Sequence, residues 1–203
     1  MKESRGLIAS IKERDPAARS SLEIKLLYPG YRAVMSHRKA HWFQRRGLYF
    51  IARFISQRAR RKTGIEIHPG AVIGKNLLID HGMGVVIGEM AEIGDNCTIY
   101  QGVTLGGTGN VGRGEGKRHP TLGDNVVVGS GATILGGIKI GGGSKIGANA
   151  VVNYDMPENA TAVGTLARIV RIEGVKISEE IDPLGQEVCR LKHRLHELEQ
   201  KIK

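Results

Sequence analysis

The chain reads LGDNVVVGSGATILGGIKIGGGSKIGANAVV over residues 122–152, with an aliphatic residue at every sixth position. This column comprises Leu122, Val128, Ile134, Ile140, Ile146 and Val152. The same spacing occurs earlier in two registers separated by a two-residue insertion: Ile67, Ile73, Ile79 and Val85, then Ile87, Ile93, Ile99 and Leu105. Neither an α-helix nor a single flat strand repeats every six residues, so the pattern indicates a solenoid.

The residues around this column indicate how each six-residue unit folds. Glycine often follows the aliphatic residue, and a small residue such as Ala132 or Ser144 lies two positions before it. We expect the aliphatic side chain to point inward, the small residue to fit a tight interior, and glycine to permit the corner. Three units then form one coil of a triangular prism, and about five coils cover residues 65–165. The predicted fold is mainly β, a parallel β-helix.

Other segments depart from this repeat. Residues 1–64 lack it and show the apolar spacing of α-helices, with Gly64 as a helix-ending residue. Residues 106–121 interrupt the prism and are too rich in glycine and polar residues to form a coil, so we expect an extruded loop there. Long loops on rigid scaffolds frequently carry functional residues.

Residues 166–203 form a predicted C-terminal helical tail, with a heptad helix over residues 181–202. The apolar residues are spaced alternately by three and four: Ile181, Leu184, Val188, Leu191, Leu195, Leu198 and Ile202. This spacing is typical of the a and d positions of a coiled coil. It predicts either association between copies of the chain or docking of an amphipathic helix against the prism.

Composition narrows the classes of function. The 203-residue chain carries a net charge of +10, yet it contains no nucleic-acid-binding motif and no basic surface interleaved with aromatics. We therefore expect no nucleic-acid partner, although the charge can attract a small anion. No segment approaches the roughly 20 apolar residues of a membrane span, and no secretory signal is visible. Cys97 and Cys189 provide no disulfide framework, so a cytoplasmic protein is expected.

Candidate catalytic groups occur at two places. Glu66 and His81 are separated by slightly less than one coil, so they can approach each other near a corner of the prism, with Asp80 beside them. A histidine near a carboxylate is the usual arrangement of a general base. The pair Arg118-His119 lies at the end of the extruded loop, and such a loop can reach a neighbouring prism and complete a site there.

Other residues have simpler structural interpretations. His68 precedes Pro69 at the start of the prism, so we expect it to close the first coil. Cys97 falls in the column of small residues, so we expect a buried thiol rather than an acyl-carrying nucleophile. A zinc site built from His68, His81 and His119 would resemble that of the γ-class carbonic anhydrases, which are also hexapeptide prisms. No short ligand spacing supports it, so we expect no metal.

Seven motifs occur in a defined order: Arg14-Asp15-Pro16-Ala17, Ala40-His41-Trp42, Glu66-Ile67-His68-Pro69, Ile79-Asp80-His81-Gly82, Val86-Ile87-Gly88-Glu89, Gln101-Gly102-Val103-Thr104-Leu105-Gly106-Gly107-Thr108-Gly109 and Arg118-His119-Pro120. In these motifs the chain resembles the serine O-acetyltransferases, a branch of the hexapeptide-repeat acyltransferases. The resemblance covers about residues 10–170. The Asp-His, Gly-Gly-Thr-Gly and Arg-His-Pro motifs distinguish this branch from the wider superfamily.

This resemblance implies a left-handed β-helix and a homotrimer with active sites in the grooves between prisms. It also implies direct transfer of the acetyl group of acetyl-CoA, the co-substrate, to the hydroxyl of L-serine. That reaction is the first step of cysteine synthesis. Two less favoured functions are an acetyltransferase for another hydroxyl acceptor, such as a sugar, and a non-catalytic scaffold that binds a partner through the tail.

The same resemblance implies roles for individual residues. His81 would be the general base, and Glu66 would orient it. Residues implied in the serine pocket, with acids for the ammonium group and a guanidinium for the carboxylate, are Asp15, Asp80, Arg118 and His119. Residues implied in the CoA groove are Gly107, Thr108, Ser130, Lys145 and Ala148.

The chain also departs from the family at both ends. Long members carry a larger N-terminal helical domain that joins trimers into hexamers, so the short region before residue 65 predicts a single trimer. Members that bind cysteine synthase end in isoleucine, whereas this chain ends Lys201-Ile202-Lys203. This difference argues against a complex with cysteine synthase.

Overall fold

A computed structural model describes residues 2–108, 116–165 and 168–176. The N-terminal region is helical, as the sequence predicted. Its four helices are α1 (Lys2–Arg14), α2 (Ser21–Leu27), α3 (Pro29–Gln44) and α4 (Tyr49–Thr63). Helix α4 ends at Gly64, which has φ of 70°, a left-handed conformation that glycine adopts readily.

After α4, the described chain consists of short strands joined by turns. They are β1 (Glu66–Ile67), β2 (Val72–Ile73), β3 (Leu78–Ile79), β4 (Val86–Ile87), β5 (Glu92–Ile93), β6 (Thr98–Ile99), β7 (Thr104–Gly106), β8 (Thr121–Leu122), β9 (Val127–Val128), β10 (Thr133–Leu135), β11 (Lys139–Ile140), β12 (Lys145–Ile146), β13 (Val151–Val152), β14 (Thr161–Val163), β15 (Arg168–Ile172) and β16 (Val175–Lys176). Their brevity reflects the repeat, because each six-residue unit contains one strand and one corner.

These strands form the three walls of a prism. Sheet A has the order β1-β4-β7-β10-β13, sheet B the order β2-β5-β8-β11, and sheet C begins β3-β6-β9-β12-β14. All these neighbouring strands are parallel, and a parallel bridge between Ile140 and Met156 adds a fifth layer to sheet B. The predicted parallel β-helix of about five coils is thus confirmed. The A–B corner follows the strands of sheet A, and the C–A corner precedes them.

The interior contains the predicted aliphatic column. In sheet A, Ile67 pairs with Ile87, and Ile87 pairs with Leu105. All three side chains are buried. The six-residue count placed Val85 in this column, and that prediction was wrong. Val85 lies one residue before β4 and points inward, but Ile87, two residues later, occupies the column. The first coil is longer than the next, and the additional residues are in the C–A corner that contains His81.

Arginine and histidine side chains attach the helices to the prism. Arg14, at the end of α1, donates hydrogen bonds to the carbonyl oxygens of Asn96 at 2.9 Å and Cys97 at 3.1 Å. In α3, the buried His37 donates from Nε2 to the carbonyl oxygen of Ala71 at 3.1 Å. These contacts satisfy backbone groups at the corners while fixing where the helices lie.

The described part of the C-terminal tail contains an element that the sequence did not indicate. Strands β15 and β16 form an antiparallel hairpin that continues sheet C beyond β14, before the predicted heptad helix begins. The predicted heptad helix over residues 181–202 lies outside the described residues, as does the tip of the extruded loop at residues 109–115. Among the helices described, none is sufficiently long and apolar to cross a membrane.

Candidate active site

His81 projects from the lengthened C–A corner immediately after β3. Its backbone has φ of 57°, a left-handed conformation that is uncommon outside glycine. The side chain is 77% exposed, and Nε2 lies 4.0 Å from Oδ1 of Asp80. This distance is too long for a hydrogen bond, so Asp80 leaves Nε2 available to a bound molecule.

Asp15 and Tyr28 lie near the same corner. Oδ1 of Asp15 accepts a hydrogen bond from the backbone N–H of Ala17 at 2.8 Å, and Oδ2 accepts one from Oη of Tyr28 at 2.8 Å. Burial, the hydrogen bond to Asp15 and the negative charges of Asp15, Glu23 and Asp80 together raise the pKa of Tyr28 to about 12. The structure therefore places both Asp15 and Asp80, the two expected ammonium ligands, near one phenol.

A close backbone contact explains this assembly. A Cβ added to Gly30, in the first turn of α3, would lie 2.0 Å from the carbonyl oxygen of Ile79. Glycine thus allows the start of α3 to touch the end of β3, one residue before Asp80. Because Tyr28 immediately precedes α3, this contact carries it to the C–A corner.

The second cluster occupies the A–B corner. His119 is buried against Gly88, where an added Cβ would lie 2.0 Å from Cδ2 of the ring. Burial lowers the pKa of His119, and the positive charge of Arg118 lowers it further, whereas Glu89 opposes this shift. The nearby His68 also has a lowered pKa, mainly through burial. His119 is therefore a neutral imidazole at neutral pH, able to exchange a hydrogen bond with a polar ligand.

His68 has the corner role expected of it. Its Nδ1 accepts a hydrogen bond from the backbone N–H of Gly70 at 3.1 Å, within the turn between β1 and β2. It also lines a cavity of about 460 Å³ together with Gln44, Tyr49, Arg53, Pro69 and Glu89. Glu89 and Arg53 were not identified as site residues from the sequence, although Glu89 ends one of the seven motifs.

Contacts of Lys117 hold the C-terminal end of the extruded loop in place. Nζ of Lys117 lies 2.8 Å from a carboxylate oxygen of Glu92 and donates a hydrogen bond to Oγ1 of Thr121. The backbone of Lys117 also lies close to Gly137, where an added Cβ would be 2.0 Å from the Lys117 carbonyl oxygen. These contacts fix the position of the following Arg118-His119 pair at the A–B corner.

Glu66 does not contact His81 in this chain. Its carboxylate oxygens lie 3.3 Å from Nη2 of Arg53 and 3.2 Å from Nε of Arg60, both on α4. No hydrogen bond joins Glu66 to His81 among the residues described. Within the described residues, the carboxylate nearest the imidazole is that of Asp80.

The expected CoA-groove residues form two groups. Ser130 and Ala148 lie on successive coils at the C–A corner, where the N–H of Asn149 donates to the Ser130 carbonyl at 2.8 Å. Lys145, on β12, and Ala148 are exposed. The other group, Gly107 and Thr108, follows β7 at the A–B corner. One chain therefore does not bring the two groups together.

Cys97 has the buried position expected from its column. Its Sγ donates to the carbonyl oxygen of Gly123 at 3.1 Å, and burial raises the thiol pKa to about 11. A protonated, enclosed thiol is a poor nucleophile. In the part of the chain that the structure describes, no group of three or more His, Cys, Asp or Glu side chains could hold a metal ion.

The six-residue coils and the histidine-bearing corners define a hexapeptide-repeat transferase. Residues 119–153 match a family model described as bacterial transferase hexapeptide (six repeats). The serine acetyltransferase of Helicobacter pylori is 60% identical over 160 residues, covering 79% of this chain and 92% of the relative. This chain belongs to the serine acetyltransferase family.

Solved structures agree with this assignment. Soybean serine acetyltransferase complexed with serine has a TM-score of 0.79 and 46% identity, covering 83% of this chain and 68% of the soybean chain. Serine acetyltransferase from Brucella abortus in complex with coenzyme A has a TM-score of 0.79 and 39% identity. That match covers 83% of this chain and 66% of the Brucella chain.

Proposed function

We propose that this chain transfers the acetyl group of acetyl-CoA to the hydroxyl of L-serine, releasing CoA and O-acetyl-L-serine. The observation that carries the proposal is the arrangement of charge at the two corners. Asp15 and Asp80 both place negative charge near Tyr28 and suit an ammonium group, whereas Arg118 beside His119 suits a carboxylate. An amino-acid zwitterion needs both kinds of charged partner, an acid for its ammonium group and a cation for its carboxylate. The soybean relative complexed with serine and the Brucella relative complexed with coenzyme A support the two substrates.

In the proposed mechanism, His81 acts as the general base. Its imidazole accepts the proton of the serine hydroxyl while the serine oxygen bonds to the thioester carbonyl carbon. The carbon–sulfur bond then breaks, and the CoA thiolate takes the proton from the imidazolium. No acyl-enzyme intermediate is required, which agrees with the buried, protonated thiol of Cys97.

We further propose that Glu66 orients His81 when the site is occupied. In the present arrangement its carboxylate is shared between Arg53 and Arg60. Both arginines are substantially exposed, so each ion pair contributes little and can be exchanged at small cost. A carboxylate that reaches His81 would fix its tautomer and stabilise the imidazolium that forms.

The distribution of residues supports a site shared between copies of the chain. Asp80 and His81 lie at the C–A corner, whereas Arg118 and His119 lie at the A–B corner, across the width of sheet A. The CoA-groove residues divide in the same way. A second prism that presents its A–B corner to the C–A corner of the first would complete both the serine site and the CoA groove. This requirement supports the homotrimer, and we also propose a cytoplasmic location, since a free buried thiol suits a reducing compartment.

CoA release tests the proposed function directly. We would measure it from acetyl-CoA with and without L-serine, for the wild type and for His81→Ala. Serine-dependent release that is lost in the variant would support both the reaction and its base. Release that persists in His81→Ala would remove His81 as the base. Release only with another hydroxyl compound, such as a sugar, would replace serine as the acceptor.

A further inference from the structure

We infer that Tyr28 is a positioning residue for serine binding, acting through its hydrogen bond to Asp15. This inference rests on the proposed function, in which Asp15 holds the ammonium group of serine. Tyr28 lies outside the seven motifs, and nothing in the sequence patterns indicates that it has a role. Its contact with Asp15 identifies it.

The Asp15 carboxylate is held at both oxygens. The N–H of Ala17 donates to Oδ1, and the phenol of Tyr28 donates to Oδ2, each at 2.8 Å. The first contact is a local turn that any similar loop could form. The second crosses from the loop after α1 to the residue that precedes α3, so it ties the carboxylate to a separate part of the fold. Each oxygen keeps a further lone pair for an ammonium donor.

Tyr28 is itself fixed by the backbone around it. Its N–H donates to the carbonyl oxygen of Ile24 at 3.3 Å, and its carbonyl accepts from the N–H of Arg32 at 3.2 Å. The aromatic ring packs against the hydrophobic core. The close approach of Gly30 to Ile79 then sets the distance between this ring and the C–A corner. The phenol is therefore a preorganised donor rather than a mobile surface group.

The chemistry of the phenol suits this task. Asp15, Glu23 and Asp80 all place negative charge near Tyr28. A lysine or arginine at this position would neutralise the carboxylates and compete with the ammonium group of the substrate. A tyrosine that stays protonated orients Asp15 without cancelling its charge, so the full negative charge remains available to the ligand.

Tyr28→Phe isolates the hydrogen bond, because it keeps the packed ring. Tyr31→Phe is the matched control: Tyr31 lies in α3, and its Oη is hydrogen-bonded to Oγ of Ser4 at 2.8 Å. We expect Tyr28→Phe to raise the KM for serine, and its Kd by calorimetry, about tenfold. The kcat and the KM for acetyl-CoA should stay within about twofold of wild type. Tyr31→Phe should change none of these values.

A double variant tests whether Tyr28 acts through Asp15. In an Asp15→Ala background, adding Tyr28→Phe should produce no further loss in kcat/KM for serine, because the residue to be positioned is gone. An unchanged KM and Kd in Tyr28→Phe would overturn the inference. So would a full tenfold loss that persists in the Asp15→Ala background.

Failure of the proposed function would look different. A wild type that binds serine but releases no CoA with it would refute acetyl transfer, and the calorimetric comparison would still decide the role of Tyr28. A wild type that does not bind serine would overturn both proposals. A Tyr28→Phe protein with lost helical signal or a lowered Tm relative to Tyr31→Phe would indicate a structural role only and would also overturn the inference.

Discussion

The ring of His119 lies directly against Gly88, so that a Cβ at Gly88 would be 2.0 Å from Cδ2 and 2.2 Å from Nε2 of His119. Because Gly88, at the corner after β4, has no side chain, this imidazole can lie buried at the A–B corner. Two separate motifs of the sequence meet in this contact, one ending at Glu89 and the other containing His119.

Gly88→Ala should consequently displace His119 without changing any polar group. We expect kcat/KM for serine to fall about 10- to 100-fold, and the free energy of unfolding to fall by about 1–3 kcal/mol through overpacking. Steady-state kinetics and urea unfolding would measure the two effects. Gly6→Ala is the control, since Gly6 lies within α1 and an added Cβ would meet its nearest neighbour at an ordinary 3.5 Å. That variant should be slightly more stable than wild type, by about 0.5–1 kcal/mol, with unchanged kinetics.

A site shared between chains predicts complementation. His81→Ala alters the C–A corner and Arg118→Ala alters the A–B corner, so each homo-oligomer should be nearly inactive. Co-expressed and purified together under two different tags, the variants should regain a measurable fraction of wild-type turnover, because some grooves combine two unaltered corners. Mixed oligomers without any recovered activity would show that both corners must come from one chain.

His37 predicts how stability depends on pH. Burial lowers the pKa of His37 to about 3, and the neighbouring positive charges of His41, Arg38 and His68 contribute. The unfolded chain has an ordinary histidine pKa near 6.5, so between these values the unfolded state binds a proton that the folded state excludes. The free energy of unfolding therefore falls as the pH falls, by about 1.4 kcal/mol per pH unit.

His37→Phe should weaken this dependence, because phenylalanine has no proton to bind. Urea unfolding at pH 7 and pH 5 would show a loss of stability about 2 kcal/mol smaller in the variant than in the wild type. The variant should also be less stable at pH 7, since it leaves the Ala71 carbonyl without its donor. Equal losses in the two proteins would mean that His37 is not responsible for the acid sensitivity.

Cys97→Ala tests the absence of an acyl-enzyme. The thiol is buried, and its pKa is raised to about 11, so it should take no part in transfer. We expect kcat within about twofold of wild type, and a loss of about 1 kcal/mol in stability from the vacated volume and the lost contact with Gly123. A covalent acetyl group found on Cys97 by mass spectrometry after reaction with acetyl-CoA would contradict direct transfer.

The prism could be predicted from the sequence because each coil depends on local composition. An inward aliphatic residue recurs in each unit, often with a small residue before it and a glycine after it, and the parallel register of Ile87 and Leu105 follows from the three units between them. Val85 was misassigned because the inserted residues lengthen a corner, and a six-residue count alone does not show on which side of the insertion the register resumes.

The site was harder to predict, because its contacts join residues far apart in the chain. The motifs identified His81 and Asp15, but the contact of Tyr28 with Asp15 depends on how closely Gly30 approaches Ile79. No sequence pattern indicated that Arg53 and Arg60 would form ion pairs with Glu66. The hairpin of β15 and β16 was missed because its pairing extends an existing sheet rather than following the repeat.

The lengthened C–A corner shows where this architecture tolerates change. The two inserted residues leave β4 in register with β1, and the loop between β7 and β8 likewise leaves β8 in register with β5. An added residue inside a strand would instead turn every later inward side chain outward. Insertions can therefore accumulate at the corners without altering the core. Because the candidate catalytic residues lie at those same corners, substrate preference can diverge among such proteins while the prism stays the same.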